Sequence, residues 1–530
     1  MREPVMGRQD AARRRATRAG RFVRLMGGVM SGLLALAAAG CQRTDAPITT
    51  LDDAATARIG VMAGSSGEQI VLERFPKADI KTFDDVMDAV AAIRAGQLDA
   101  VVTAFPGALQ VTKKNLDLTL VAEPLTAENT AVAVRPGDTA LLAAVNVALD
   151  SLRRDGTLSA MKTRWFKPDL SPYNEPDIPP SPTGEPLTIG VSATREPFSF
   201  VDGDGRITGH DGELARRLGA LLHRPVVFAN SKFMALIPAL QSGKIDMVVT
   251  GMSDTPERRK RVAFSTTYYE NAQRMMVSKP GGATGALGLD ANNAAAPSWL
   301  EGIGASIQSN LIQEQRYLLL LDGLQTTVLI ALLSTLFGTL LGALVCALRM
   351  SEHRLLSRVA MGYIAVLRGT PVVVLLMLVF YVVFASVNIS PVVVAVLAFG
   401  MNFAAYVAEI FRTGIEGIDR GQTEAGLSMG FTKVATFTHI VLPQTVQRVL
   451  PVYKGEFISL VKMTSIVGYI AVQDLTKASD IIRSRTFDAF FPLVLVAILY
   501  FLIAWVLTRA LDALERRTDP RQRRQARSTA

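Results

Sequence analysis

Two cysteines and four histidines in 530 residues leave little material for redox or metal chemistry. Cys346 lies inside a long apolar run and Cys41 far upstream, which excludes a disulfide framework. His210, His223, His353 and His439 are scattered without ligand spacing, so neither a metal site nor a nucleophile–base pair can be assembled. No GxxxxGK[ST] segment occurs, so nothing here cradles ATP phosphates, and no cofactor is expected. A basic folded face is missing too. Residues 1–24 carry eight Arg against Glu3 and Asp10 (8 − 2 = +6), and residues 509–530 carry seven Arg against three acids (7 − 3 = +4), which accounts for the net charge of +9. That distribution speaks against nucleic acid as a partner. Arginines flanking apolar segments instead follow the positive-inside rule of membrane proteins.

The apolar residues, 49% of the chain, concentrate after about residue 318. Five spans are expected there: roughly 320–347, 371–385 extended upstream through "YIAVL", 391–411, a more polar one over 457–472, and 490–511. Glu456 and Lys462 at the fourth should face protein or a pathway. At the other end, an Arg-rich start and "SGLLALAAAGC" make residues 1–41 a signal peptide or lipoprotein signal, with Cys41 the lipidation candidate. Either reading exports the segment downstream of Cys41. Five spans then place the Arg-rich tail, 513–530, in the cytoplasm of a bacterial inner-membrane protein.

Between these ends, one phrase is written twice. "AIRAGQLDAVVTA" (92–104) and "ALQSGKIDMVVTG" (239–251) share six of thirteen aligned residues, 147 positions apart (239 − 92), and a strand containing "IGV" precedes each. Helix, glycine stop and buried strand recur, so two α/β lobes on one plan are expected. They occupy 57–166, after a tether at 42–56, and 187–280. The Pro-rich segment 167–186 joins them, and a linker at 281–316 leads to a membrane domain at 317–512.

The stretches "EPFSFVDGDGRITGHDGELA", "LIPALQSGKIDMVVTGMSDTPERRKRVAFSTTYY" and "IGVMAGSSGE…DAVVTAFP…AVAVRPGD" resemble the polar amino-acid-binding proteins of ABC importers. The resemblance implies a bilobed periplasmic-binding-protein-like domain of type II, in permuted order, because the lobe at 187–280 comes first in that family. It further implies that Gly251, Ser253 and Arg258 grip a ligand carboxylate, that Ser65 and Ser66 reach the same group, and that Phe198 and Phe233 line the side-chain pocket. Two positions depart from the pattern. Ala104 stands where the family has an acid for the ligand ammonium, and Arg195 where it has an aromatic residue. Glu196 and Asp254 are the acids offered as replacements, and Arg195 points to a more anionic ligand.

In the membrane half, "GQTEAGLSMGFTKVATFTHIVLP", within the cytoplasmic loop 412–450, is similar in spacing to the ABC-permease "EAA" loop through Glu424, Ala425, Gly430, Ile440, Leu442 and Pro443. Gly426 replaces its second alanine. The resemblance implies an all-α permease domain of about five helices that docks a separate ATP-binding subunit in two copies. It also implies a second permease subunit, most simply another copy of this chain. The expected protein is a fused small-molecule-binding and permease subunit rather than an enzyme. A permease regulated by a degenerate ligand-sensing domain and a ligand-gated channel are the rival readings.

Overall fold

The computed structural model describes residues 47–166, 173–179, 184–279, 304–387 and 389–518. The signal-like segment with Cys41, the first five residues of the tether (42–46) and most of the 281–316 linker lie outside the described residues.

The doubled phrase builds the same joint in both lobes. Helix Val86–Arg94 stops before Gly96 and strand Ala100–Ala104 comes next; helix Leu236–Gln241 stops before Gly243 and strand Met247–Val248 comes next. The aspartate just ahead of each strand ties it to the lobe's first strand. Asp99 accepts the Arg58 N–H and Asp246 the Thr188 N–H, at 2.8 and 2.9 Å, and each returns its own N–H to that residue's carbonyl. The apolar residue before each aspartate lies over the glycine of "IGV". A Cβ on Gly60 would stand 2.5 Å from Leu98 Cδ1, and one on Gly190 2.4 Å from Ile245 Cδ1. The glycine is therefore what lets helix and sheet approach so closely.

The lobes do not coincide with the two sequence segments. The first sheet runs Asp79–Phe83, Arg58–Met62, Ala100–Ala104, Tyr269–Ser278, Leu118–Leu120, with Thr126–Thr130 also paired to Tyr269–Ser278. The second runs Val226–Asn230, Leu187–Val191, Met247–Val248, Ala133–Val134, Ala263–Phe264. Each segment thus lends pieces to the other's lobe. The expected boundaries, 57–166 and 187–280, are corrected by this exchange: Ala133–Val134 belongs to the second sheet and Tyr269–Ser278 to the first. The chain crosses between lobes twice, near 131 and near 267, and these crossings form the hinge.

The helices Thr139–Arg154 and Thr157–Trp165 stay on the second lobe as well. Glu213, fully buried, accepts from Arg164, Trp165 Nε1 and Arg217 at 2.7–2.8 Å and fixes the end of the first segment there. Tyr173 of the Pro-rich connection packs its ring 4.9 Å from that of Trp165. Segments 57–166 and 187–280 therefore meet on one lobe, so a short surface connection suffices.

In the membrane half, Tyr317–Arg349, Pro391–Glu416 and Phe491–Ala513 are long and apolar enough to cross a bilayer unbroken. Two pairs, Arg354–Gly369 with Val372–Val383 and Lys433–Ile470 with Leu475–Thr486, are bent by 109° and 56°, and five spans result if each pair counts as one. The expected continuous run through "YIAVL" into 371–385 is not formed. Pro371 disfavours helix at Thr370, which is extended (φ −100°, ψ 129°), and the chain turns there.

Gly190→Ala is expected to lower stability by about 1–3 kcal/mol through overpacking. A reduced Tm of the full chain in detergent, partly restored by adding Ile245→Val, would show it. An unchanged Tm would mean that the contact with Ile245 does not set the helix–sheet spacing.

Candidate functional site

The cleft between the lobes gathers the residues singled out in the sequence. Ser65, Ser66, Ala104, Arg195, Phe233, Gly251, Ser253 and Arg258 line one small cavity of about 10 Å³, and Phe198 joins Ala104 and Arg195 around an adjoining one of about 30 Å³. Spaces of that size suit one or a few waters, so the lobes lie closed on each other. Contacts across the cleft hold them. Arg258 donates to Gly64 O at 2.7 Å, Ser66 Oγ meets Ser253 Oγ at 3.1 Å, Thr194 donates to Asp85 at 2.7 Å, and Lys232 pairs with Asp84 at 2.7 Å.

Each residue has a local reason for its place. Ser65 caps helix Ser66–Arg74, accepting the Glu68 N–H, which leaves Ser66 at the helix start facing the cleft. Thr255 caps the short helix Pro256–Arg259 and so places Arg258. The Arg258 guanidinium lies over the Phe233 ring (5.4 Å), and Arg195 lies over both Phe233 (5.3 Å) and Phe198 (5.6 Å). The two phenylalanines are therefore platforms for guanidinium groups.

In this structure the residues expected to grip a carboxylate bond to the chain itself. Arg258 gives its donors to Ser253 O and Gly64 O, both at 2.7 Å, and Arg195 donates to Thr250 O at 2.7 Å. The Gly251 N–H donates to Tyr268 Oη, which in turn donates to Asp211. Burial and the neighbouring Arg195 hold the Arg258 pKa down to about 10. Burial also lowers that of Arg195, against the pull of Asp211, Tyr268, Asp85 and Glu128. Desolvation, reinforced by Asp211, holds the Tyr268 phenol well above its ordinary value, so it stays a donor.

One cleft acid carries no signal in the sequence. Glu128 Oε2 accepts from Ser66 Oγ and Ser253 Oγ, each at 2.8 Å, and from Gln273 Nε2 at 3.0 Å. Its strand, "TAENT", holds no motif, and its antiparallel pairing with Tyr269–Ser278 brings it to the cleft.

Helix Leu475–Thr486 of the membrane half closes the mouth of the cleft. Ser484 and Phe487 line the larger cavity beside Ala104 and Arg195. Arg483 pairs with Asp88 of the first lobe at 2.7 Å, and Arg485 with Glu196 beside the second lobe's Arg195 at 2.8 Å. Nearby, Tyr469 Oη donates to Asp84, the acid already joined to Lys232 across the cleft. Burial works against ionisation of Glu196, whose pKa stays raised despite Arg485.

At the far end of the membrane half, Arg420–Ser428 and Lys433–Thr436 form the two arms of a helical turn whose corner, Gly430, has φ +86°. Glu424 and Ala425 are exposed, as are Met429 and Val434, whereas Gly426 is buried. A Cβ on Gly426 would come 2.6 Å from Thr436 Cγ2 and 2.9 Å from Ile440 Cδ1, so the departure from alanine reflects close packing of the arms. Ile440 is half-buried, and Leu442 and Pro443 begin the next helix exposed.

Known proteins resemble both halves. The model of the bacterial extracellular solute-binding proteins, family 3, matches residues 187–447, starting at strand Leu187–Val191. The L-cystine transport system permease protein of Bacillus subtilis (strain 168) is 34% identical over 41% of this chain and 94% of its own length. The chain belongs to the amino-acid ABC transporter permeases. The nopaline transport system permease protein of Agrobacterium fabrum is 30% identical over 40% of this chain and 92% of its own length. The crystal structure of an amino acid ABC transporter with histidines is similar at 33% identity over 42% of this chain and 99% of that one, with a TM-score of 0.37. In this permease a solute-binding module precedes the membrane domain on the same chain. It is a multi-pass inner-membrane transport subunit.

Arg483 and Arg485 each hold one lobe in this closed structure. Replacing Arg483 and Arg485 together by Ala strands the largely buried Glu196, and losing the partner of a buried charge costs about 3–5 kcal/mol. Amide hydrogen exchange over 475–486 is therefore expected to rise at least tenfold in the variant. Unchanged protection would show that packing alone seats this helix.

Proposed function

We propose that this permease imports an α-amino acid, or a related small carboxylate, that is neutral or anionic overall. The soluble half lies outside and the Arg-rich tail in the cytoplasm, as the span parity and the terminal charges suggest. The observation that carries the reading is the seating of helix Leu475–Thr486 against both lobes through Arg483–Asp88 and Arg485–Glu196. A substrate that favours closure thereby favours one position of a membrane segment, which is how occupancy of the module can reach the transport path.

Cleft charge supports the substrate class. The charged residues that line the smaller cavity are Arg195 and Arg258, so a cationic side chain placed there would be buried beside two guanidinium groups. Some relatives carry names for cystine, glutamine and nopaline transport.

Energy enters at the helical turn around Gly430. Glu424, Met429 and Val434 form an exposed, partly apolar knob that fits a groove on an ATP-binding subunit. Two copies of that subunit act with two permease halves, the second supplied by another copy of this chain.

A thermal-shift panel on the full chain in detergent tests the substrate. An amino acid at a hundredfold its Kd stabilises by about 2.7 kcal/mol, and L-glutamate, L-glutamine or L-cystine is expected to raise Tm more than L-arginine or L-lysine. A larger shift with the cationic amino acids would overturn the assigned class, and no shift with any amino acid or its deaminated counterpart would overturn the import reading. For the knob, Glu424→Lys is expected to leave these shifts intact and to cut uptake of the responding amino acid at least tenfold in the host cell. Normal uptake would remove the knob from the energy pathway.

A further inference from the structure

The cleft lacks an acid at Ala104, and both candidate replacements already hold a cation of the chain, although Glu196 lines the larger cavity beside Ala104. Glu196 is engaged by Arg485 at 2.8 Å, and Asp254 by Arg259 at 2.5–2.6 Å. Glu128 reaches the cleft through the sheet. Ala104 is the register partner of Gln273, Gln273 of Thr126, and Glu128 lies two residues beyond Thr126. Alternation along a strand puts Ala104, Gln273 and Glu128 on one face. The Glu128 carboxylate therefore stands two strands from the missing acid, on the same wall, in contact with Ser66 and Gln273 of one lobe and Ser253 of the other. All three bonds fall on Oε2.

We infer that Glu128 is the counter-ion for the α-ammonium of the substrate and supplies the charge lost at Ala104. This rests on the cleft taking an amino acid. An α-amino acid carries an anion and a cation one carbon apart, and the cleft is polarised to match, with Arg258 and Arg195 on one side and Glu128 on the other. The hydroxyls of Ser66 and Ser253 hold the carboxylate at the junction of the lobes, so an ammonium bound there ties closure to the presence of the amine. The competing role for the same geometry is an internal carboxylate that occupies the hydroxyl pair and must be expelled by substrate.

The two roles predict opposite signs for Glu128→Gln, an isosteric change that keeps an acceptor for both hydroxyls. Binding is measured by thermal shift on the full chain in detergent with three pairs: L-glutamate and glutarate, L-glutamine and glutaramate, L-cystine and dithiodipropionate. If Glu128 pairs with the ammonium, wild type prefers the amino acids. Glu128→Gln then weakens the preferred one by about 100-fold, the scale of a stranded buried charge, and leaves its deaminated counterpart within about threefold. The double variant Ala104→Asp/Glu128→Gln is expected to recover at least tenfold of the loss. Tighter binding of both pair members in Glu128→Gln overturns the assignment in favour of the internal carboxylate. A wild type that prefers amino acids, with that preference intact in Glu128→Gln, overturns it while the import reading stands. A wild type that binds the deaminated members equally well, or neither member of any pair, overturns it outright.

Discussion

A guanidinium removed from water needs acceptors at bonding distance, and Arg485 has two carboxylates. Glu196 belongs to the substrate-binding half, and Glu314 lies in the turn ahead of the first span; they stand 2.8 and 3.0 Å from the same side chain. If either acid leaves, a guanidinium that is only 14% exposed keeps a single carboxylate partner. Glu196 comes directly after Arg195, so the position of a cleft guanidinium is linked through one peptide unit to a membrane helix. Arg483 makes the corresponding bond to Asp88 on the other lobe. The two pairs leave little freedom for the lobes to part while helix Leu475–Thr486 stays in place, and that rigidity gives substrate-dependent closure a mechanical outlet.

The strand exchange gives the same arrangement its hinge. Tyr269–Ser278 pairs with three strands of the first lobe, and Ala133–Val134 lies between two strands of the second. Permuting the order of the segments preserves every one of these pairings. Only the connection changes: Phe166 and Leu187, the ends joined by the Pro-rich segment, lie on one lobe. Permutation of a domain with neighbouring ends costs little in stability.

How much of this can be read from sequence depends on how locally each feature is encoded. The joint made by Leu98–Asp99 and by Ile245–Asp246 is a short phrase whose residues serve neighbouring strands, so its repetition is visible without coordinates. The turn at Gly430 is local in the same way. Glu128 is not: its partners Ser66, Ser253 and Gln273 lie 62, 125 and 145 residues away, and nothing in "TAENT" marks the middle residue. The lobe boundaries fail for a related reason. A strand's sheet membership is set by its pairing partner, and composition changes little between Ala127 and Ala133. The motif around Arg258 is enough to put that residue in the cleft, but its donors go to two carbonyls, a geometry that depends on the lobes being closed.

That closed geometry bears on how the site discriminates. Each cleft cation is satisfied by the chain itself, Arg195 by Thr250 O and Arg258 by Gly64 O and Ser253 O, while the hydroxyls of Ser66 and Ser253 are satisfied by Glu128. A substrate must exchange these contacts for its own and cannot simply fill free donors. Under exchange, a ligand offering only one of the two charges leaves part of the set unpaired in a largely dehydrated cleft, and unpaired buried groups weigh more heavily than lost contacts. Discrimination is then strongest against molecules that lack a charge and weaker among side chains of similar size. This is the behaviour expected of a receptor that recognises the amino-acid backbone first and leaves the side chain to Phe198, Phe233 and the residual charge of the two arginines.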